Sequence, residues 1–412
     1  MRWFGYDMWG VIMVGWSTKS GFGGAIGAAL LLAGCGARAP LAQPSLLPYK
    51  PLMQAPTETH GPLKIWFLGT STIVLRDEDT AILTDGFFTR PSSLPMVTSA
   101  LSSDRERVSE GLRLGGFDRR PRAQALFVAH AHHDHVLDSA AVAARTGAIL
   151  IGDDSSANVA AGHRPELDSI CVAEHGDRFE VGNFTVTVFE TPHSAGDIPP
   201  IRGKVHSSRV QERWLGDFRT TTSHAYHVKH KDKDGRVRRI LIVPSANYNW
   251  SSFGGAKAEV VFLAVAKLHK LSVDEAQEYW RRAVTETGAR LVVPIHWDDI
   301  RDRLANDRGI PRDFETIPYL QDDFRQAMAI ILPLALRQKV EVRIPARAGP
   351  VQVSPIGAGE KTNPPWWAPG GDPGATDDPA AKAVLWKLPN CRKKAQASSA
   401  GPGQSQGFAS LL

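Results

Sequence analysis

Cysteine is scarce in this chain. Cys35, Cys171 and Cys391 are the only three among 412 residues and show no C-x-x-C spacing, which excludes a disulfide scaffold and a cysteine-rich zinc knot. Any metal site must therefore rely on histidines and carboxylates. Charge of one sign is thin too: 48 Lys and Arg against 43 Asp and Glu leave a formal net charge of +5, with no dense basic block interleaved with aromatics. A nucleic-acid groove needs such a strip, so no nucleic-acid partner is expected. Repeats of solenoid or propeller period are missing. What remains is ordinary, with 42% hydrophobic and 22% charged residues, and points to a soluble folded body of one large domain or two smaller ones.

The N-terminal region reads as an address. After Lys19 runs Ser20-Gly-Phe-Gly-Gly-Ala-Ile-Gly-Ala-Ala-Leu-Leu-Leu-Ala-Gly-Cys35, a cationic flank followed by a short apolar stretch that ends in small residues. It falls short of the roughly 20 apolar residues that span a bilayer, so a cleaved signal is the better reading than a permanent membrane helix. Leu32-Ala33-Gly34-Cys35 resembles the lipobox of bacterial lipoproteins, which implies acylation of Cys35 and a membrane-anchored chain facing the periplasm or the exterior. Gly36 after the cysteine favours an outer membrane where one exists. The leader before Lys19 carries Trp3, Trp9 and Trp16, and the start may equally be Met8 or Met13. Residues 1–34 are thus read as the signal. Residues 35–61, with Pro40, Pro44, Pro48, Pro51 and Pro56, are read as an extended tether.

From about Leu63 to Pro345, apolar runs of strand length alternate with helical patterns, which predicts an α/β domain over residues 62–346. Expected strands are Lys64 to Leu68, Ser71 to Leu75, Ala81 to Thr84, Ala125 to Val128, Ala148 to Ile151, Phe184 to Phe189, Ala225 to Lys229, Ile240 to Val243, Val260 to Leu263 and Arg290 to Val293. Ser272-Val-Asp-Glu275 forms a capping box for a helix that Gly288 would end, and a second helix should run from near Asp138 to Gly147. Residues 347–412 turn Pro-, Gly- and Ser-rich and are read as a largely disordered tail.

The chemistry concentrates in His130-Ala-His132-His133-Asp134-His135, directly after the apolar run Ala125 to Ala129. Neutral imidazole and carboxylate are the ligands that Zn²⁺ prefers. Two further strand ends carry histidine, in Thr191-Pro192-His193 and in Pro294-Ile-His296-Trp-Asp-Asp299. In an open α/β sheet, loops at one edge of the strands can bring such distant residues together.

His130, His132, Asp134 and His135 match the H-x-H-x-D-H motif, and the chain from about Leu63 to His296, plausibly to Pro345, resembles the metallo-β-lactamase superfamily. The resemblance implies a four-layer αββα sandwich. It also implies that His130, His132 and His193 hold one zinc and Asp134, His135 and His296 another, with Asp85 supporting the ligands from behind. Within the superfamily the likeness is to simple metallo-hydrolases of the lactonase and phosphodiesterase kind. One departure stands out: where two-metal members place a bridging aspartate, this chain reads Val243-Pro-Ser245-Ala-Asn247, so that Ser245 takes the position and one or two Zn²⁺ remain open. The expected activity is hydrolysis of a small-molecule ester, lactone, amide or phosphodiester by a metal-activated hydroxide, with Asp134 as the catalytic carboxylate. A nuclease and a non-catalytic envelope lipoprotein that keeps the fold are the alternatives.

Several other residues invite weaker readings. His224, His227 and His230 alternate along one strand and should scatter over both faces rather than form a site, with His227 or Tyr226 available as pocket walls. Trp297 is either core or a substrate platform. Cys171 and Cys391 could pair after export. The loop from His193 to Phe218, with Pro199, Pro200 and Arg202, should shape the pocket.

Overall fold

The runs rich in Val, Ile, Leu and Phe become strands, and the strands stack as two sheets in a computed structural model of the chain. It describes residues 42–54, 62–118, 122–164, 167, 169–197, 199–208, 213–249, 253–318, 321–353 and 391–393. The signal segment and Cys35 lie outside the described residues, as does most of the chain beyond 353. In chain order the first strands are β1 (Met53–Gln54), β2 (Lys64–Phe67), β3 (Ile73–Arg76), β4 (Ala81–Thr84), β5 (Ala125–Phe127), β6 (Ile149–Gly152), β7 (Ser169–Val172), β8 (Arg178–Val181) and β9 (Phe184–Pro192). The rest are β10 (Thr222–Lys231), β11 (Val237–Val243), β12 (Val260–Ala264), β13 (Leu291–Ile295), β14 (Glu341–Val342), β15 (Ile344–Pro345), β16 (Gly349–Pro350) and β17 (Cys391–Lys393). One sheet has the order β16-β2-β3-β4-β5-β6-β7-β17 and the other β14-β13-β12-β11-β10-β9-β8, while β1 pairs with β15 separately. The α-helices are α1 (Ser93–Thr98), α2 (Arg105–Leu112), α3 (His133–Val136), α4 (Ser139–Thr146), α5 (Asp154–His163), α6 (Val273–Trp280) and α7 (Phe324–Gln338).

Alternation along the strands of the first sheet sorts side chains into two cores. Ile65, Ile73, Ile82 and Phe127 face the second sheet and pack with Val186, Tyr226 and Ile240, and the rings of Phe127 and Tyr226 lie 5.4 Å apart across that interface. Val74, Leu83, Leu126 and Leu150 point the other way and pack with Val108 of α2, Val142 of α4 and Val159 of α5. The parallel strands β11, β12 and β13 are apolar along most of their length because they are covered on both sides, the outer cover being α6 and α7 through Tyr279, Trp280, Met328 and Ile331. The result is the expected four-layer αββα sandwich of the metallo-β-lactamase type.

Both expected helices form. In α6 the Ser272 hydroxyl accepts from the Glu275 N–H while the Glu275 carboxylate accepts from the Ser272 N–H, and Gly288 takes φ +73° where the helical stretch ends. Asp138 precedes α4 but does not cap it, its carboxylate accepting instead from the Phe88 and Thr89 N–H groups, and the helix ends at Gly147 with φ +73°.

Two boundaries differ from expectation. The extended tether does not hold for residues 42–54, where Leu47–Leu52 forms a 3-10 helix and Tyr49 sets its ring edge-on to Phe324 at 5.5 Å. Apolar side chains between the prolines give this segment something to bury. Nor does the folded body stop at 346: β16 pairs with β2, Val351 is buried, and β17 pairs antiparallel with β7 with Cys391 in register with Cys171. Cys171 is disulfide-bonded. Among the described residues, no helix is long and apolar enough to cross a membrane.

Candidate metal centre

The carboxyl ends of β4, β5, β9, β11, β12 and β13 open on one edge of the sandwich, and each delivers a polar residue to it: Asp85, His130, His193, Ser245, Lys267 and His296. Four non-glycine residues there adopt left-handed backbone, Thr70 at φ +51°, Asp85 at +54°, Lys267 at +59° and His296 at +57°. Such angles cost free energy, most of all for β-branched Thr70, and persist where the surroundings over-determine them, as functional sites do.

Two triads form. His130, His132 and His193 each offer a ring nitrogen within 4.8 Å of the others, and a carboxylate oxygen of Asp134 lies equally close to ring nitrogens of His135 and His296. The triads adjoin, since the His130 and His135 rings are 3.8 Å apart between centroids. In the second triad His135 Nε2 lies 3.3 Å from His296 Nε2, and Asp134 Oδ2 lies 3.4 Å from His296 Nε2 and 3.8 Å from His135 Nε2. A tetrahedral cation bound at about 2.0–2.1 Å sets its donor atoms roughly 3.3–3.4 Å apart, so the spacing fits one.

The outer partners of the imidazoles make the same case. His135 Nδ1 donates to Asp85 Oδ2 at 2.9 Å, and Asp85 also accepts from the Ala129 N–H at 2.7 Å and from the Ser71 hydroxyl. His132 Nε2 donates to the Ile201 carbonyl at 3.1 Å, His193 Nδ1 faces Asp197 Oδ2 at 2.7 Å, and His130 Nδ1 lies 3.2 Å from the Ser223 hydroxyl. An oxygen thus faces one nitrogen of each of these four rings and leaves the other bare, the pattern that fixes tautomer and orientation in metal-binding histidines, whereas His296 Nδ1 is buried with no hydrogen-bond partner. His130 Nε2 is buried with no hydrogen-bond partner. A buried lone pair without a donor is costly in a protein interior and fits a cation.

Electrostatics keeps His130, His132 and Asp134 in ligand form, while at His135 burial is outweighed by the carboxylates of Asp85 and Asp134, which raise the ring above its ordinary value. Burial first, then His193, pushes His132 down to about 3, and burial with His135 and His193 holds His130 well below the usual range. Burial would raise the Asp134 carboxyl, but His135, His296 and His133 outweigh it and hold the group well below the carboxylate range. His133 belongs to neither triad; its ring sits edge-on to Phe87 and lines the pocket.

Ser245 holds the predicted place but reaches sideways, accepting from the Ser194 N–H at 2.8 Å, while Asn247 donates to the His193 carbonyl at 2.6 Å. Together they pin the loop that carries His193. Sequence reasoning missed Asp197, the partner of His193, which Gly196 at φ +87° turns back toward the site and which also binds Lys267 Nζ at 2.6 Å. An aspartate four residues beyond a strand-end histidine, after a glycine, was the available signal. The other histidines scatter as expected: His230 Nε2 meets Asp77 at 3.0 Å and His227 Nε2 donates to the Lys257 carbonyl at 2.8 Å. Neither His227 nor Tyr226 lines the pocket; Tyr226 is buried between the sheets against Phe127, and His227 is buried on the other face of β10. Trp297 is core, packed against Phe67 and stacked on Phe314.

No protein-family model matches the chain. A "UPF0173 metal-dependent hydrolase" of Christiangramia forsetii is 30% identical over 96 residues, 23% of this chain and 34% of that protein. One of Anaeromyxobacter dehalogenans is 37% identical over 79 residues, 18% of this chain and 29% of that protein. The matches span about a third of these curated relatives. Among solved structures, the metallo hydrolase Igni18 of Ignicoccus hospitalis aligns over 70% of this chain and 97% of its own, at 14% identity and a TM-score of 0.42. The metallo-β-lactamase fold protein YhfI of Bacillus subtilis aligns over 71% and 100%, at 14% identity and a TM-score of 0.40.

Proposed function

We propose that the chain is a zinc-dependent hydrolase of a small-molecule ester, lactone, amide or phosphodiester. The observation that carries this is the pair of adjoining triads, in which His130, His132, His135 and His193 each have one nitrogen beside an oxygen and one left for a ligand bond. Zinc bound there would act as a Lewis acid and lower the pKa of a water from 15.7 to roughly 7. Asp134, ionised and facing the pocket, would accept the proton of the attacking water and could return it to the leaving group. Asp85 holds His135, and Asp197 holds His193, against rotation away from the centre.

The pocket over the triads has a volume of about 330 Å³, within the range of small-ligand sites and too small for a folded polymer. His132→Ala is expected to lower bound zinc from about two equivalents and to abolish hydrolysis in a panel of esters, lactones and phosphodiesters. Undiminished turnover in that variant would reject the assignment.

The proposal extends to location. The Lys19 to Cys35 sequence supports a lipid anchor at Cys35, and the disulfide at Cys171 agrees with an oxidising compartment such as the bacterial envelope. Cys35→Ser is expected to move the chain from the membrane to the soluble fraction on cell fractionation. An unchanged membrane share would remove the anchor from the account.

A further inference from the structure

The pocket has an unusual edge. Helix α1 buries none of its six residues although it carries leucine, methionine and valine, and Leu94 and Val97 are 67% and 59% exposed. Trp214 is 48% exposed. Met96 of α1 and Leu215 both line the pocket, and the Leu101 N–H donates to the Arg213 carbonyl at 2.7 Å, tying the chain after α1 to the residue before Trp214. Inside, Ile201, Ile300 and Ile317 continue the apolar wall down to the histidines. Clustered apolar side chains at the mouth of a pocket mark a binding surface more than a packing accident.

A cation reaches the same pocket. Lys267 is committed to Asp197, but Lys270 has no carboxylate partner among the described residues, and its stem lies against Gly196 at the pocket wall. A Cβ on Gly196 would sit 2.9 Å from Lys270 Cδ and 3.0 Å from its Nζ, so the glycine leaves the ammonium room to lie over the pocket. The pocket therefore presents an uncommitted positive charge and, at Met96 and Leu215, an apolar lip, both in the lining that also holds the triads.

We propose that the substrate is an amphiphile, with an anionic group held at Lys270 and an apolar group laid against Met96, Leu215 and Ile300. The pocket volume of about 330 Å³ is at the small end for ligands, so an extended tail must lie out over the lip. This rests on the hydrolase reading and narrows it. The anion is a phosphate or a carboxylate, since a lone ammonium recognises either as a point charge.

Isothermal titration of the zinc-loaded full chain with octyl phosphate and with octanoate tests it, against methyl phosphate, acetate and octanol, which lack either tail or charge. At least one octyl anion is expected to bind about tenfold or more tightly than its short-chain counterpart and than octanol. The better of the two identifies the head group. Lys270→Gln should bring that anion down to the level of octanol, and Met96→Ser with Leu215→Ser, both in the pocket lining, should remove the dependence on chain length. Affinity independent of chain length, or undiminished in Lys270→Gln, overturns the amphiphile. Zinc content and turnover of a neutral short ester, measured on the same samples, separate the two failures. If both are retained, the substrate class is wrong and the hydrolase stands; if zinc is not taken up, both fall.

Discussion

Asp298→Ala is expected to cost roughly 3–5 kcal/mol of folding stability, the size of effect seen when one partner of a buried ion pair is removed. Asp298 is fully buried, 2.8 Å from Arg90 Nη1 and 3.7 Å from Arg347 Nη1, and both guanidiniums are fully buried as well. Burial alone would raise its carboxyl, but Arg90 and Arg347 together outweigh that and hold it below the usual range. Without the carboxylate, two cations would face each other out of water, with only carbonyls and the Asp302 carboxylate to share. Asp298→Asn should fall between, because it can keep the bond from the Thr70 N–H, which Asp298 Oδ1 accepts at 2.7 Å, while losing the charge. Urea unfolding midpoints check the order, and a loss under about 1 kcal/mol for alanine would show that the cluster does not hold the fold together.

The same carboxylate reaches the metal centre through the backbone. Thr70 is held at its N–H by Asp298, and its carbonyl accepts from the His296 N–H at 2.7 Å, so the left-handed turns at residues 70 and 296 brace each other. Gly69, at φ +84°, has to be glycine here, because a Cβ would run into the Arg90 guanidinium and the Asp298 carboxylate. Stability and ligand placement are therefore coupled at this corner.

How far the sequence reveals this molecule depends on whether a feature is local. The ten apolar runs all lie on observed strands, because β-branched and aromatic runs at strand length leave few other ways to bury themselves. The short strands β7 and β8 were not legible: β7 has only four residues, and in β8, at the edge of its sheet, Arg178 and Glu180 are exposed and the apolar signal is thin. Helix α7 hides behind Pro333, which argues against a helix in any local reading, yet the helix persists because Ala327, Met328 and Ile331 are buried against the second sheet. The triad residues were legible since H-x-H-x-D-H is a local pattern and the other two histidines end apolar runs. Their supports were not, with the exception of Asp85. Ser223, Asp197 and the Ile201 carbonyl meet the histidines only after β9, β10 and the following loop have folded across the strand-end edge. No spacing rule places a backbone carbonyl behind an imidazole.

Asp134→Asn separates binding from proton transfer at the centre. Asparagine keeps the shape and one oxygen, so the second triad loses a charge and not its geometry, whereas the first triad, His130, His132 and His193, keeps all three of its donors. The amide cannot accept a proton from water at neutral pH. If Asp134 is the general base, kcat/KM should therefore fall by roughly 10²–10⁴-fold, the usual contribution of a positioned acid or base. Loss of the charge facing His296 Nε2 at 3.4 Å and His135 Nε2 at 3.8 Å should also weaken the second triad for zinc while leaving about one equivalent bound. Asp134→Ala should lose the same activity and more of the second metal. The informative comparison is turnover of the asparagine variant with zinc restored to saturation. Activity within about threefold of the unmodified protein under those conditions would mean that the carboxylate serves only as a ligand, and proton transfer would have to be assigned to another group on the pocket wall.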